Sequence, residues 1–249
     1  MKFIKYAKEK EIAIVTMDRP KLNAMNLEMM AELEDTWKTI ENDSAVRVTI
    51  LTGKGRGYNV GFDIKEMAEG KFNTSLLQTM MPLYFSPRSQ SKPVIAAVNG
   101  LAVGAGFDFM AMDADLLIAA ESATFSMPEV SFGMASLGSP FSSANIPRVF
   151  AMEIVLTGEA MSSSRAYEVG LVNRVVPDDQ LLEQSIKMAE KIARNSVVAV
   201  KQSRKNLLLA NSASEASRIQ ETFAAASPEM RDATDKGING FSRKETLIW

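Results

Sequence analysis

Residues 92–109 read KPVIAAVNGLAVGAGFDF. The first half, PVIAAVNG, is a continuous apolar run of the kind that forms a strand buried on both faces. The second half sets Gly100, Gly104 and Gly106 ahead of Asp108, which lies between Phe107 and Phe109. Glycines between a strand and a helix mark backbone that comes close to something. A dinucleotide fingerprint accounts for Gly104 and Gly106, but its third glycine falls on Phe109, and no Gly-Lys-Ser/Thr follows to make a Walker loop. Two readings remain. One is a tight strand-to-helix turn. In the other, free N–H groups at the helix N-terminus hold an oxygen that becomes negative during a reaction. Asp108 falls in the first helical turn, where the macrodipole favours its ionised form, while the flanking rings oppose ionisation by desolvation. The spacing leaves that balance open.

Upstream, YNVGFDIKEM (residues 58–67) repeats the logic. Gly61 and Phe62 follow the strand-like VRVTILTG and precede a helical DIKEM, so two such turns can each supply one N–H to a single oxygen.

The composition narrows the chemistry. The chain has 249 residues, 46% of them hydrophobic and 23% charged, with a net charge of −2. That is enough apolar material for one large core and argues against nucleic acid or an anionic membrane as the main partner. There is no cysteine and no histidine. Disulfides, thiolate nucleophiles and every His-based triad are therefore excluded, and acid–base work falls to Asp, Glu, Lys or Tyr. The N-terminal MKFIKYAKEKEIAIV is too mixed for a secretory signal. The apolar window Pro93–Met112 contains Asn99, Asp108 and three glycines, so it reads as a buried strand and helix rather than a membrane span. A cytoplasmic protein without a membrane segment is expected.

Along the chain, FIKY and IAIVTM form a hairpin, and Asn26 caps a helix over LEMMAELEDTWKTIEND with Leu27, Met30, Leu33, Trp37 and Ile40 on one face. A polar segment up to Lys92 has the character of a loop over a site. ADLLIAAESATFSMPEV reads as a strand and its continuation. Helices then dominate, in QLLEQSIKMAEKIAR, VVAVKQSRKNLLLAN and SEASRIQETFAAA, around a short strand at LVNRVV. Strands alternating with helices, then helices alone, give an α/β core with a helical C-terminal region.

At this point GFDIKEM, KPVIAAVNGLAVGAG, FSMPEVSFGM and AMEIVLTGEAMSSSRAYEVGLVNRVVP, in that order, resemble the enoyl-CoA hydratase/isomerase (crotonase) family over nearly the whole chain. The resemblance implies an α/β spiral of ββα units over residues 1–190 and a C-terminal helical trimerisation region over 191–249. It implies a homotrimer or homohexamer acting on acyl-CoA thioesters, with coenzyme A part of the substrate and no separate cofactor or metal. By motif position, it places the oxyanion-hole N–H groups on Phe62 and Ala105, CoA contacts on Phe62, Asp63, Ile64 and Lys65, and the catalytic carboxylates on Asp108 and Glu129. The leading expectation is a 2-enoyl-CoA hydratase, in which two carboxylates share the activation of water and the protonation of the α-carbon. A double-bond isomerase using Glu129 alone, and an acyl-CoA-binding member with altered catalysis, are the alternatives. Two departures bear on the choice. Asp108 stands where hydratases carry glutamate, and one extra residue separates it from the DLLIA strand. Either that residue turns Asp108 away from the thioester, or a bulge absorbs it.

Overall fold

The computed structural model describes residues 1–71, 84–136, 146–208, 235, 238–240 and 243. The N-terminal hairpin pairs β1 (Ile4–Glu9) with β2 (Ile12–Met17), Ile4 opposite Met17. β2 is buried along nearly its whole length, whereas β1 buries only Ile4 and forms the polar edge of the sheet. Helix α1 (Leu27–Asn42) starts where the sequence expects it. The Asn26 side chain accepts the Met29 N–H at 3.0 Å and supplies one of the acceptors that a helix start lacks. Its Met30, Leu33, Trp37 and Ile40 are buried, Leu27 packs partly buried beside them, and the Trp37 indole donates to Phe85 O at 2.7 Å.

The centre of the chain then repeats one unit three times: a strand in a first sheet, a short strand in a second sheet, and a helix. The first unit is β3 (Val48–Gly53), β4 (Gly57–Asn59) and α2 (Ile64–Ala68). The second is β5 (Val94–Val98), β6 (Leu101–Val103) and a π-helix over Gly106–Met112. The third is β7 (Leu116–Ala120), β8 (Thr124–Ser126) and a 3₁₀ helix over Pro128–Phe132. β3, β5 and β7 run parallel, with Ile50 opposite Ile95 and Ala96 opposite Leu117, and β4, β6 and β8 run parallel in the other sheet. Successive units therefore stack in register, and their strand-to-helix turns stack too. This is the ββα spiral that the sequence motifs imply.

β5 is buried at every residue, as its uninterrupted apolar run requires. Two local readings are corrected. GLAVGAG is not simply a turn, because its Leu101–Val103 forms β6. The continuation of β7 ends at Ser126, so Glu129 lies in a 3₁₀ turn rather than a strand; proline at residue 128 cannot donate to a ladder.

After the third unit come α3 (Arg148–Thr157), β9 (Met161–Ser162), α4 (Ser163–Glu168), β10 (Arg174–Val176) and α5 (Leu181–Ala193). β10 extends the first sheet beside β7 in parallel, and β9 closes the second sheet beside β8. α5 lays Leu181, Ser185, Ala189 and Ala193, four residues apart, against β2, β3, β5 and β7. Residues 197–208 are helical. The SEASRIQETFAAA helix, most of the polar segment before Lys92 (residues 72–83) and residues 137–145 lie outside the described residues. Among the described residues, no helix is long and apolar enough to cross a membrane.

Candidate active site

The site is assembled from the equivalent turn of each ββα unit. In the first unit the chain leaves β4 at Asn59, whose Oδ1 accepts the Gly61 N–H at 2.9 Å and folds the backbone back on itself. Gly61 has φ +84°, and a Cβ there would lie 3.2 Å from Ala105 N and 3.0 Å from Val103 O. The Gly61–Phe62 turn is thus packed directly against the Gly104–Ala105 turn of the second unit. Phe62 is clamped from the other side by Met25, which donates its N–H to Gly61 O at 2.7 Å and accepts the Asp63 N–H at 2.8 Å.

In the second unit Gly104 has φ +53°, a left-handed conformation that a side chain disfavours, and its N–H donates to Ser126 O at 2.9 Å. Ala105 opens the helix, so its N–H has no acceptor within the helix. Gly106 lies so close to Asn59 that a Cβ would collide with that residue's carbonyl. Both glycines of GAG are therefore explained by what their backbone approaches, and neither approaches a phosphate-binding loop.

The third unit brings in Glu129. A Cβ placed on Gly104 would stand 2.6 Å from Glu129 Oε1, so the carboxylate lies directly over the glycine turn. Glu129 Oε2 is buried without a hydrogen-bond partner. Burial pushes this carboxyl up to about 7, against a smaller opposing effect of a backbone hydrogen bond.

Asp108 N–H donates to Gly104 O at 2.9 Å, which sets Asp108 one turn beyond the residue that Glu129 covers. Asp108 is 2% exposed, and its Oδ1 has no hydrogen-bond partner. Burial, then the charges of Asp113 and Glu129, hold it well above the ordinary aspartate range. An ionised Glu129 opposes ionisation of Asp108, so the two titrations are linked.

The helix that carries Asp108 is π-wound over Gly106–Met112, and the whole segment is buried. The Tyr58 hydroxyl donates to Met110 O at 2.8 Å and pins this winding from β4.

The Gly61–Phe62 turn, the Gly104–Ala105 turn and the Glu129 carboxylate thus meet, and Asp108 follows four residues after Gly104. The Phe62 ring also packs on Phe109, centroids 6.1 Å apart and tilted by 50°. The remaining expected residues lie on α2. Asp63 caps it, accepting from Lys65 N at 3.0 Å and Glu66 N at 3.3 Å; Ile64 is half-buried and Lys65 is exposed. Among the described residues, no group of three or more Asp or Glu is placed to hold a metal ion. Four residues that the sequence reading did not single out support the turns: Met25, Tyr58, Asn59 and Arg19, the last of which pairs with Asp63 at 2.5 Å. Asn59 alone, an Asx residue two positions before a glycine, carries a turn signature that points to its role.

Comparison with known proteins agrees with this geometry. Residues 7–249 match the family model described as enoyl-CoA hydratase/isomerase. The 2,3-dehydroadipyl-CoA hydratase of Escherichia coli (strain K12) is 31% identical over 248 residues, covering 96% of this chain and 95% of that protein. The crystal structure of carnitinyl-CoA hydratase from Mycobacterium avium superposes with a TM-score of 0.87 at 30% identity, covering 100% of this chain and 98% of the other. A monofunctional enoyl CoA isomerase from M. smegmatis superposes with a TM-score of 0.71 at 31% identity, covering 88% and 99%.

Proposed function

The chain belongs to the enoyl-CoA hydratase/isomerase family, and within that family we propose that it is a 2-enoyl-CoA hydratase. The observation that carries this reading is the position of Glu129, its carboxylate over Gly104, with Asp108 one helical turn further on. In this reading the thioester oxygen takes the N–H groups of Phe62 and Ala105, which stabilise the enolate as negative charge develops. Water adds its oxygen to the β-carbon. One carboxylate accepts the proton that water gives up, and the other, protonated, delivers a proton to the α-carbon; a proton exchange then restores the pair. In this reading both carboxylates act from one side of the substrate, so both additions take place on the same face.

The CoA moiety is assigned to Phe62, Asp63, Ile64, Lys65 and Ala105. The Asp63 carboxylate is already held by Arg19 and by the cap, so its contribution to the ligand runs through the main chain, while exposed Lys65 is available to phosphate. No further cofactor or metal enters the proposal. A cytoplasmic homotrimer or homohexamer, with the C-terminal helices in its interface, completes it. The exposed apolar residues Val149, Met152 and Leu156 along α3 support assembly.

Loss of the conjugated-enone absorbance of crotonyl-CoA and longer 2-enoyl-CoAs tests the reading. Failure to hydrate any chain length overturns it. A single-base isomerisation of 3-enoyl-CoA is the second reading. It is favoured by one observation, that the Glu129 carboxylate lies over Gly104 while Asp108 follows a helical turn later. It predicts turnover of 3-enoyl-CoA that survives Asp108→Asn and is lost in Glu129→Gln.

A further inference from the structure

We infer that Arg19 is a positioning residue for the oxyanion hole, acting on the Phe62 N–H through Asp63; this rests on the hydratase reading above. The observations form a continuous path. Arg19 Nη2 and Asp63 Oδ2 are 2.5 Å apart, and each side chain is only 16% exposed. The other Asp63 oxygen, Oδ1, caps α2 through the N–H groups of Lys65 and Glu66. Phe62 is the residue immediately before this doubly held aspartate.

Arg19 is itself fixed. Its Nη1 donates to Ala24 O at 2.9 Å, and its own N–H donates to Asn23 Oδ1 at 2.9 Å. Asn23 is fully buried and ties the same loop to the far end of the first unit, its Nδ2 donating to Gly57 O at 2.8 Å and Lys54 O at 3.1 Å. Met25, at the end of that loop, brackets the Phe62 peptide with its two backbone hydrogen bonds. The loop 19–25 is thus a brace between the β3–β4 connection and the Gly61–Asp63 turn. Its main-chain link is Met25, and its side-chain link is the Arg19–Asp63 pair.

A pair this shielded from water is screened little, and a guanidinium fixes a carboxylate directionally where an ammonium does not. Without it, Asp63 keeps its cap but loses its lateral restraint, and Met25 alone is left to hold the Gly61–Phe62 amide that presents its N–H to the thioester oxygen. Misplacement of a reacting group by about 1 Å costs roughly 10²-fold in rate.

The test uses the full chain and its Arg19→Met, Arg19→Lys and Asp63→Asn variants. Crotonyl-CoA hydration gives kcat and KM. A second readout is ionisation of bound acetoacetyl-CoA, whose enolate absorbs in the near ultraviolet and reports on the hole directly. Expected for R19M is a fall in kcat of roughly 10- to 100-fold with KM changed much less. The pH at which bound acetoacetyl-CoA ionises should rise, and R19K should recover part of both effects. If R19M does not fold, D63N, which retains a capping side chain, should show the same two changes. Wild-type hydration and enolate formation, with both readouts unchanged in the folded variants, overturn the inference alone. A wild-type chain that neither hydrates crotonyl-CoA nor ionises acetoacetyl-CoA overturns the hydratase reading and this inference with it.

Discussion

Gly104 and Glu129 occupy adjoining space so closely that a methyl group on residue 104 would come within 2.6 Å of Glu129 Oε1. The glycine is therefore required twice, by its φ of +53° and by the carboxylate above it. Gly104→Ala should cost roughly 1–2 kcal/mol from left-handed backbone alone. It should also lower kcat by more than that loss explains, because Glu129 must swing away. Chemical denaturation and steady-state kinetics on the same sample check both effects.

Glu129 should be a catalytic group that costs stability. Its carboxyl ionises near 7 in the folded chain against 4.5 when unperturbed. Between those values the folded state binds more protons than the unfolded one, so stability falls as pH rises through this window and is constant above it. The shift corresponds to roughly 3 kcal/mol. Glu129→Gln removes the titration, so the variant should be more stable than wild type at pH 8 by up to about that amount. The two should converge near pH 4.5. Urea midpoints at the two pH values decide it, and equal differences at both would count against the burial argument.

Burial and the charges of Asp113 and Glu129 oppose ionisation of Asp108, and Asp108→Asn leaves an uncharged group of nearly the same shape. The melting temperature should hold within a few degrees. Hydration should nevertheless fall by 10²-fold or more, the usual contribution of a positioned acid or base. A large loss of stability with little loss of rate would assign Asp108 to packing instead.

Tyr58 holds the π-wound segment through Met110 O. Tyr58→Phe leaves that buried carbonyl short of a donor and should cost about 1–3 kcal/mol. Rotation of Asp108 follows if the winding relaxes, so kcat should drop as well. Circular dichroism during urea unfolding, paired with the hydration assay, separates the two effects.

Much of this was legible in the residues. The hairpin, the Asn26 cap, the buried β5 and α5 all follow from local pattern, because alternation, capping and four-residue spacing are properties of neighbours in the chain. The motifs also pointed to the turns at Gly61–Phe62 and Gly104–Ala105 and to Glu129, which the fold packs together. β6 escaped the sequence reading because three residues between glycines carry no periodicity; only pairing with β4 and β8 makes them a strand. The π-winding escaped for a related reason. An extra residue is visible in sequence, but whether it bulges or rotates Asp108 depends on Tyr58 and the packed core around Gly106–Met112. Arg19 escaped because its partner Asp63 lies 44 positions away, and no local signal joins them.

The most direct measurement is the fate of the proton. Crotonyl-CoA is incubated with the protein in D₂O, and the 3-hydroxybutyryl-CoA formed is examined by proton NMR. The proposed sharing of the two proton transfers by Asp108 and Glu129 predicts a single deuterium at the α-carbon, placed syn to the new hydroxyl. Absence of the hydroxy product, or deuterium placed anti to the hydroxyl, would contradict the shared role of Asp108 and Glu129.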